Sequence, residues 1–175
     1  TMVVGFETDH FYEKSYFNAV ADLQKTIKSL RGVTAILNIP DVVNLINDTA
    51  NAQFKSVKIF TPPYTDQAAL DSAAFIFKSL PFYKTLLYSP SSNAYLMGVS
   101  LDGAIINSKN RSVLIYDINT AIQAFEKETN SSVHLSGLPY IRTIVADRIK
   151  KEMNIFLIAS FVLSALTLLL FFRSM

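Results

Sequence analysis

The sequence predicts an α+β fold of split-βαβ, ferredoxin-like type, followed by one long C-terminal helix that crosses a membrane. Three observations carry this expectation. Apolar residues recur at helical spacing in three separated segments, each needing a sheet to cover it. Short β-branched runs alternate with those segments, and helices on one face of a small, mostly antiparallel sheet is the economical arrangement. The third is Ile155–Phe172, eighteen residues without a charge. At 1.5 Å per residue this run extends about 27 Å, close to the roughly 30 Å hydrocarbon thickness of a bilayer.

In chain order, Val3–Phe6 is a short apolar run that reads as a strand. Tyr16, Val20, Leu23, Ile27 and Leu30, with Phe17 beside them, form one helical face, while Lys14, Asp22, Lys25 and Lys28 lie elsewhere. Arg31-Gly32 supplies a cation and then a glycine to end that helix. Val33–Ile39 is β-branched and apolar until Pro40 interrupts it. Asn44–Ser56 is polar and reads as a loop or short helix. Asp66 is a suitable N-cap for a second helix with Leu70, Ala73, Phe77 and Leu80 inward, closed by Pro81.

Thr85–Tyr88 and Ala94–Ser100 read as a hairpin around Ser89-Pro90-Ser91-Ser92-Asn93. A third helix covers about Arg111–Glu128 with Leu114, Ile118, Ile122 and Phe125 inward, and Val133–Leu135 is a short strand. Gly137-Leu138-Pro139 makes a tight junction, after which no glycine or proline interrupts a helix from near Tyr140 to Phe172. The expected organisation is an α+β domain over residues 1–139, with βαβ units at roughly 1–60 and 85–139 and a helix between them. A connecting helix over 140–154 and the membrane span 155–172 follow. No internal repeat is visible by residue identity.

Composition excludes several function classes. The chain has no cysteine, so disulfides, thiolate zinc sites and cysteine nucleophiles are absent. Net charge is +2 without a basic run, which argues against nucleic acid as partner. The glycines at 5, 32, 98, 103 and 137 are too scattered for a phosphate loop. Ser136-Gly137 lacks the G-x-S-x-G elbow, and His10 and His134 have neither HxH nor HExxH spacing. No acid, base and nucleophile set can be assembled, so no enzyme, cofactor or metal is expected. The sequons at Asn47, Asn110 and Asn130 carry little weight in a chain rich in Asn, Ser and Thr.

The segment Ser136-Gly137-Leu138-Pro139-Tyr140-Ile141-Arg142, followed by an apolar helix ending Phe171-Phe172-Arg173-Ser174, resembles part of an RND-superfamily exporter of the MMPL/Patched-like branch. There a "G-x-P-x-I" segment leads out of the first porter loop into the second transmembrane helix, which ends in "F-R-S". Gly32-Val33-Thr34-Ala35-Ile36 resembles the "G-V-x-x-V" that closes the first porter helix. Asp102-Gly103 keeps the last two residues of the family's "S-x-D-G" turn, with Leu101 before them.

The resemblance implies a proton-driven exporter of hydrophobic or amphipathic compounds, such as lipids, pigments or drugs. The parent would lie in a bacterial inner membrane, with this domain on the periplasmic side. Its partners would be the lipid bilayer, the parent's remaining membrane helices, its second porter loop and the cargo. Gly137, Pro139 and Arg142 would form the porter-to-membrane junction. Ile155–Phe172 holds no ionisable residue, so the proton relay lies in another helix.

Among the aromatic residues, Phe6, Phe11, Phe75, Phe77 and Phe82 are the candidates for contacts with apolar cargo; ordinary core and interface aromatics are the simpler reading. Ser160 and Ser164, four apart, form a small-residue face for packing against another membrane helix. Charge points the other way on orientation. Arg148, Lys150 and Lys151 precede the span and only Arg173 follows it, which by the positive-inside rule places the domain in the cytoplasm. The alternative reading is a single-span membrane-anchored sensory or assembly module with an α+β ligand- or protein-binding domain.

Overall fold

A computed structural model describes residues 1–48 and 53–172. The elements are β1 (Met2–Glu7), α1 (Lys14–Ser29), β2 (Val33–Leu37), β3 (Val43–Asp48), β4 (Gln53–Lys58), α2 (Gln67–Ser79), β5 (Tyr88–Ser89), β6 (Ala94–Leu101), α3 (Gly103–Ile106), α4 (Arg111–Thr129), β7 (Val133–Ser136) and α5 (Leu138–Phe172). The chain forms two compact units, Thr1–Tyr140 and Ile141–Met175.

The first unit is built on an antiparallel sheet of order β2-β6-β1-β7. The short β5 shares an edge of β6 with β2, pairing Tyr88 with Tyr95 while β2 pairs Leu37 with Gly98. Strand alternation decides which face is covered. Met2, Val4 and Phe6 of β1 and Tyr95, Met97 and Val99 of β6 are buried, whereas the residues between them are more exposed.

Helices α1 and α4 supply the other half of the core. Tyr16, Phe17, Val20, Leu23 and Ile27 are buried on α1, and Leu114, Ile118, Ile122 and Phe125 on α4, the faces their periodicity predicts. Phe125 packs edge-on against Phe6 at 5.6 Å and against Tyr16 at 5.5 Å between ring centroids. Helix α2 buries Leu70, Ala73 and Phe77, with Leu80 half-buried beyond its end; Asp66 caps it by accepting from Ala68 N–H.

Two expectations need correction. Asn44–Ser56 is not a loop or short helix: Val43–Asp48 and Gln53–Lys58 pair as an antiparallel ribbon, with Val43 opposite Lys58 and Asp48 opposite Gln53. Every residue of β4 has much of its surface exposed, so neither face of the ribbon shows a clean apolar alternation. Thr85–Tyr88 is also mostly not a strand. Thr85 sits at φ +68°, a turn conformation, and only Tyr88–Ser89 pairs with β6. Of the connection expected over Ser89–Asn93, Ser89 pairs with Ala94 in the strand and Pro90–Asn93 forms the turn, with Asn93 at φ +47°.

The second unit, from Ile141, belongs to a single helix that begins at Leu138. The most apolar eighteen-residue window of α5 has a mean hydropathy of 2.7 and none of it is buried. The helix is long enough and apolar enough to cross a membrane.

Candidate functional site

Gly137 and Pro139 have physical reasons for their places. Gly137 adopts φ +128°, and a Cβ there would come within 2.9 Å of the Thr1 carbonyl oxygen and 3.0 Å of Met2 Cα. Only glycine permits the chain to leave β7 against the start of β1. Pro139 is the second residue of α5, where its missing N–H costs no helical hydrogen bond. Arg142 lies in the second unit and is exposed. Of the terminal Phe171-Phe172-Arg173-Ser174 motif, Arg173 and Ser174 lie outside the described residues.

The five candidate cargo phenylalanines divide sharply. Phe6, Phe11 and Phe77 are at most 1% exposed. Phe11 stacks on Tyr95 at 3.9 Å, and Phe77 lies against Phe60 and Tyr83. These three are core residues that present no surface to a ligand, so the cargo role expected of them is withdrawn on grounds of burial. Phe75 and Phe82 instead are 78% and 73% exposed.

Phe82 belongs to a groove of about 410 Å³ whose wall is almost wholly apolar. Val43 and Leu45 of β3 form one side, and the 3₁₀ turn Pro81–Tyr83 with Leu80 forms the other. Tyr83 joins the two sides. Its phenol donates to the Val43 carbonyl at 2.6 Å and accepts from Val43 N–H at 3.3 Å. Phe82 sits edge-on to the Tyr83 ring at 5.1 Å. Leu45 and Phe54, on one face of the ribbon, are both exposed and extend the apolar surface beside the groove. The polar appearance of 44–56 concealed this element; Val43, Leu45, Phe54 and Val57 among polar neighbours were the available signal.

A second, polar cleft of about 320 Å³ lies between the start of α1 and the end of α4. His10 Nδ1 pairs there with Glu13 at 2.5 Å, and Tyr16, Ser131 and Thr129 form a string of hydroxyl contacts at 3.4 and 2.6 Å. His134 is exposed on β7 opposite Gly5. Among the described residues, no three His, Asp or Glu side chains converge as a metal set.

Three tyrosines titrate above their ordinary range. Burial raises Tyr12 most, with Tyr95 and Tyr88 adding to it. Burial raises Tyr16 against a lowering hydrogen bond to Ser131, and raises Tyr95 with help from Asp9 and Tyr88. The Tyr12 hydroxyl is buried with no hydrogen-bond partner among the described residues, while the Lys78 ammonium lies 4.5 Å from the ring centroid. These shifts reflect packing.

Ser160 and Ser164 are exposed on α5, one turn apart. Compared with known proteins, the sequence matches no protein-family pattern and no curated protein.

Proposed function

We propose that this chain is the first porter loop and second membrane helix of a proton-driven RND/MMPL-type exporter of hydrophobic or amphipathic compounds. The observation that carries the reading is the passage of β7 through Gly137-Leu138-Pro139 into a helix whose last eighteen residues are uncharged and exposed. The strand order β2-β6-β1-β7, with α1 between β1 and β2 and α4 between β6 and β7, supports a ferredoxin-like porter domain. In that arrangement the ribbon and α2 form an insertion between the two βαβ halves. Apolar cargo meets the domain at Phe82 and the groove beside it, with Phe75 nearby in sequence on α2. Ser160 and Ser164 face a neighbouring membrane helix.

Expression of the full-length protein in an efflux-deficient bacterium tests this. Accumulation of Nile red should fall, and a protonophore should restore it; unchanged accumulation contradicts the exporter reading.

The charge bias across the span favours a second reading, a single-span sensory or assembly module with its domain in the cytoplasm. A cysteine placed at exposed Gln123 separates the two. Labelling by an impermeant maleimide in intact spheroplasts supports the periplasmic exporter domain. Labelling only after lysis supports the module.

A further inference from the structure

A third cleft, of about 430 Å³, lies where the C-terminal half of α1 meets the base of the ribbon. Lys25 and Lys28 enter it from α1, three residues apart on one helical face, and Lys58 enters it from the end of β4. Half-buried Pro62 contributes apolar lining, with Phe60 and Pro40 buried beneath the cleft floor. The cleft's charges are three lysines against one carboxylate, Asp41.

That carboxylate is already committed. Gln24 Nε2 donates to one of its oxygens at 2.7 Å and Lys58 Nζ to the other at 3.1 Å. Gln24, 6% exposed, is held in turn by buried Asn38, whose Nδ2 donates to Gln24 Oε1 at 3.0 Å. The chain Asn38–Gln24–Asp41–Lys58 therefore fixes one ammonium at the wall and leaves it donors to spare. Lys25 binds Asp22, which lies outside the cleft lining, and among the described residues Lys28 makes no hydrogen bond or ion pair. Gln24 Nε2 uses one of its two donors.

We infer that this cleft binds a small amphipathic anion, with its phosphate or carboxylate group among Lys25, Lys28 and Lys58 and its apolar part on Pro62 and the aliphatic stems of the lysines. Spare donors on the anchored Lys58 and on the unengaged Lys28 suit an oxyanion, and the volume suits a small-molecule ligand. The site lies within the sheet-and-helix unit, apart from the Phe82 groove, and does not depend on the exporter reading.

Calorimetric titration of hexyl phosphate into the full chain in phosphatidylcholine nanodiscs tests this. Binding should saturate, weaken as salt rises, and exceed that of inorganic phosphate and of hexanol by at least tenfold. Hexyltrimethylammonium should not bind. Lys25→Ala/Lys28→Ala should lose at least tenfold in affinity, with an unchanged circular dichroism spectrum and melting temperature, because both side chains are on the exposed side of α1. Phosphatidylglycerol in the discs identifies the anion's source: competition with hexyl phosphate marks a lipid headgroup, and its absence marks a soluble ligand. The proposal is overturned if hexyl phosphate fails to saturate, if it binds no better than inorganic phosphate, or if the folded double variant binds as the parent does.

Discussion

The Tyr83 phenol grips Val43 by both backbone groups, 2.6 Å to the carbonyl oxygen and 3.3 Å to the amide nitrogen. This contact, with the hydrogen bond from Ile59 N–H to the Val42 carbonyl, anchors a ribbon that has little burial of its own. A lone two-stranded hairpin is marginal in water, so its attachment point decides whether it stays formed. Tyr83→Phe removes the phenol from a part-buried amide and carbonyl, at a cost of about 1–3 kcal/mol. Hydrogen exchange should accelerate at Val43–Ile46 and Val57–Ile59 while β1 and β6 stay protected.

Burial predicts opposite outcomes for the phenylalanines of α2 and the turn that follows it. Phe77→Ala should destabilise the first unit by about 3–5 kcal/mol, because the ring is fully enclosed. Phe75→Ala and Phe82→Ala should change stability by about 0.5 kcal/mol or less. Phe82→Ser should nevertheless weaken Nile red binding to the groove. Chemical denaturation and dye titration of the full chain in detergent check both halves.

At the strand-to-helix junction, Gly137→Ala forces a Cβ against the Thr1 carbonyl in a left-handed backbone, and should cost about 1–3 kcal/mol. Gly103→Ala is the matched control. Its Cβ would meet none of the described residues within 4 Å, and it begins the short helix α3, capped by Asp102. That variant should be neutral or slightly stabilising in the same unfolding measurement.

The buried tyrosines set the alkaline limit. Their folded values lie above the unfolded 10.0, so the folded state holds its protons more tightly. Their contribution to stability is complete below the unfolded value and disappears as pH rises through the folded ones. The melting temperature should therefore begin to fall above about pH 10, with phenolate absorbance showing a late-titrating group of tyrosines. Tyr12→Phe removes a hydroxyl that has no partner among the described residues while keeping the ring under Lys78, and should leave stability unchanged or raise it by about 1 kcal/mol.

Much of the fold was legible because burial leaves a periodic trace. The inward faces of α1, α2 and α4 were readable from three- and four-residue steps, and Asp66 from its capping position. The ribbon was not readable because both of its faces are exposed; Leu45 and Phe54 lie on one face, Ile46 and Val57 on the other. Thr85 escaped because a β-branched residue at positive φ runs against propensity. Of the candidate site, Phe82 was visible only as one aromatic among many. Its separation from Phe77 depends on the turn at Pro81, which places one ring outside and the other in the core.

Every role proposed for this chain requires α5 to be dissolved in lipid along Ile155–Phe172. With no native cysteine, each introduced thiol is a unique probe. Spin labels placed singly from Ile155 to Phe172 in liposomes should show high oxygen and low nickel-chelate accessibility, deepest near Leu163. Uniform nickel accessibility, or a detergent-free monomer in which Leu157, Leu163 and Leu169 pack inside, would contradict the account.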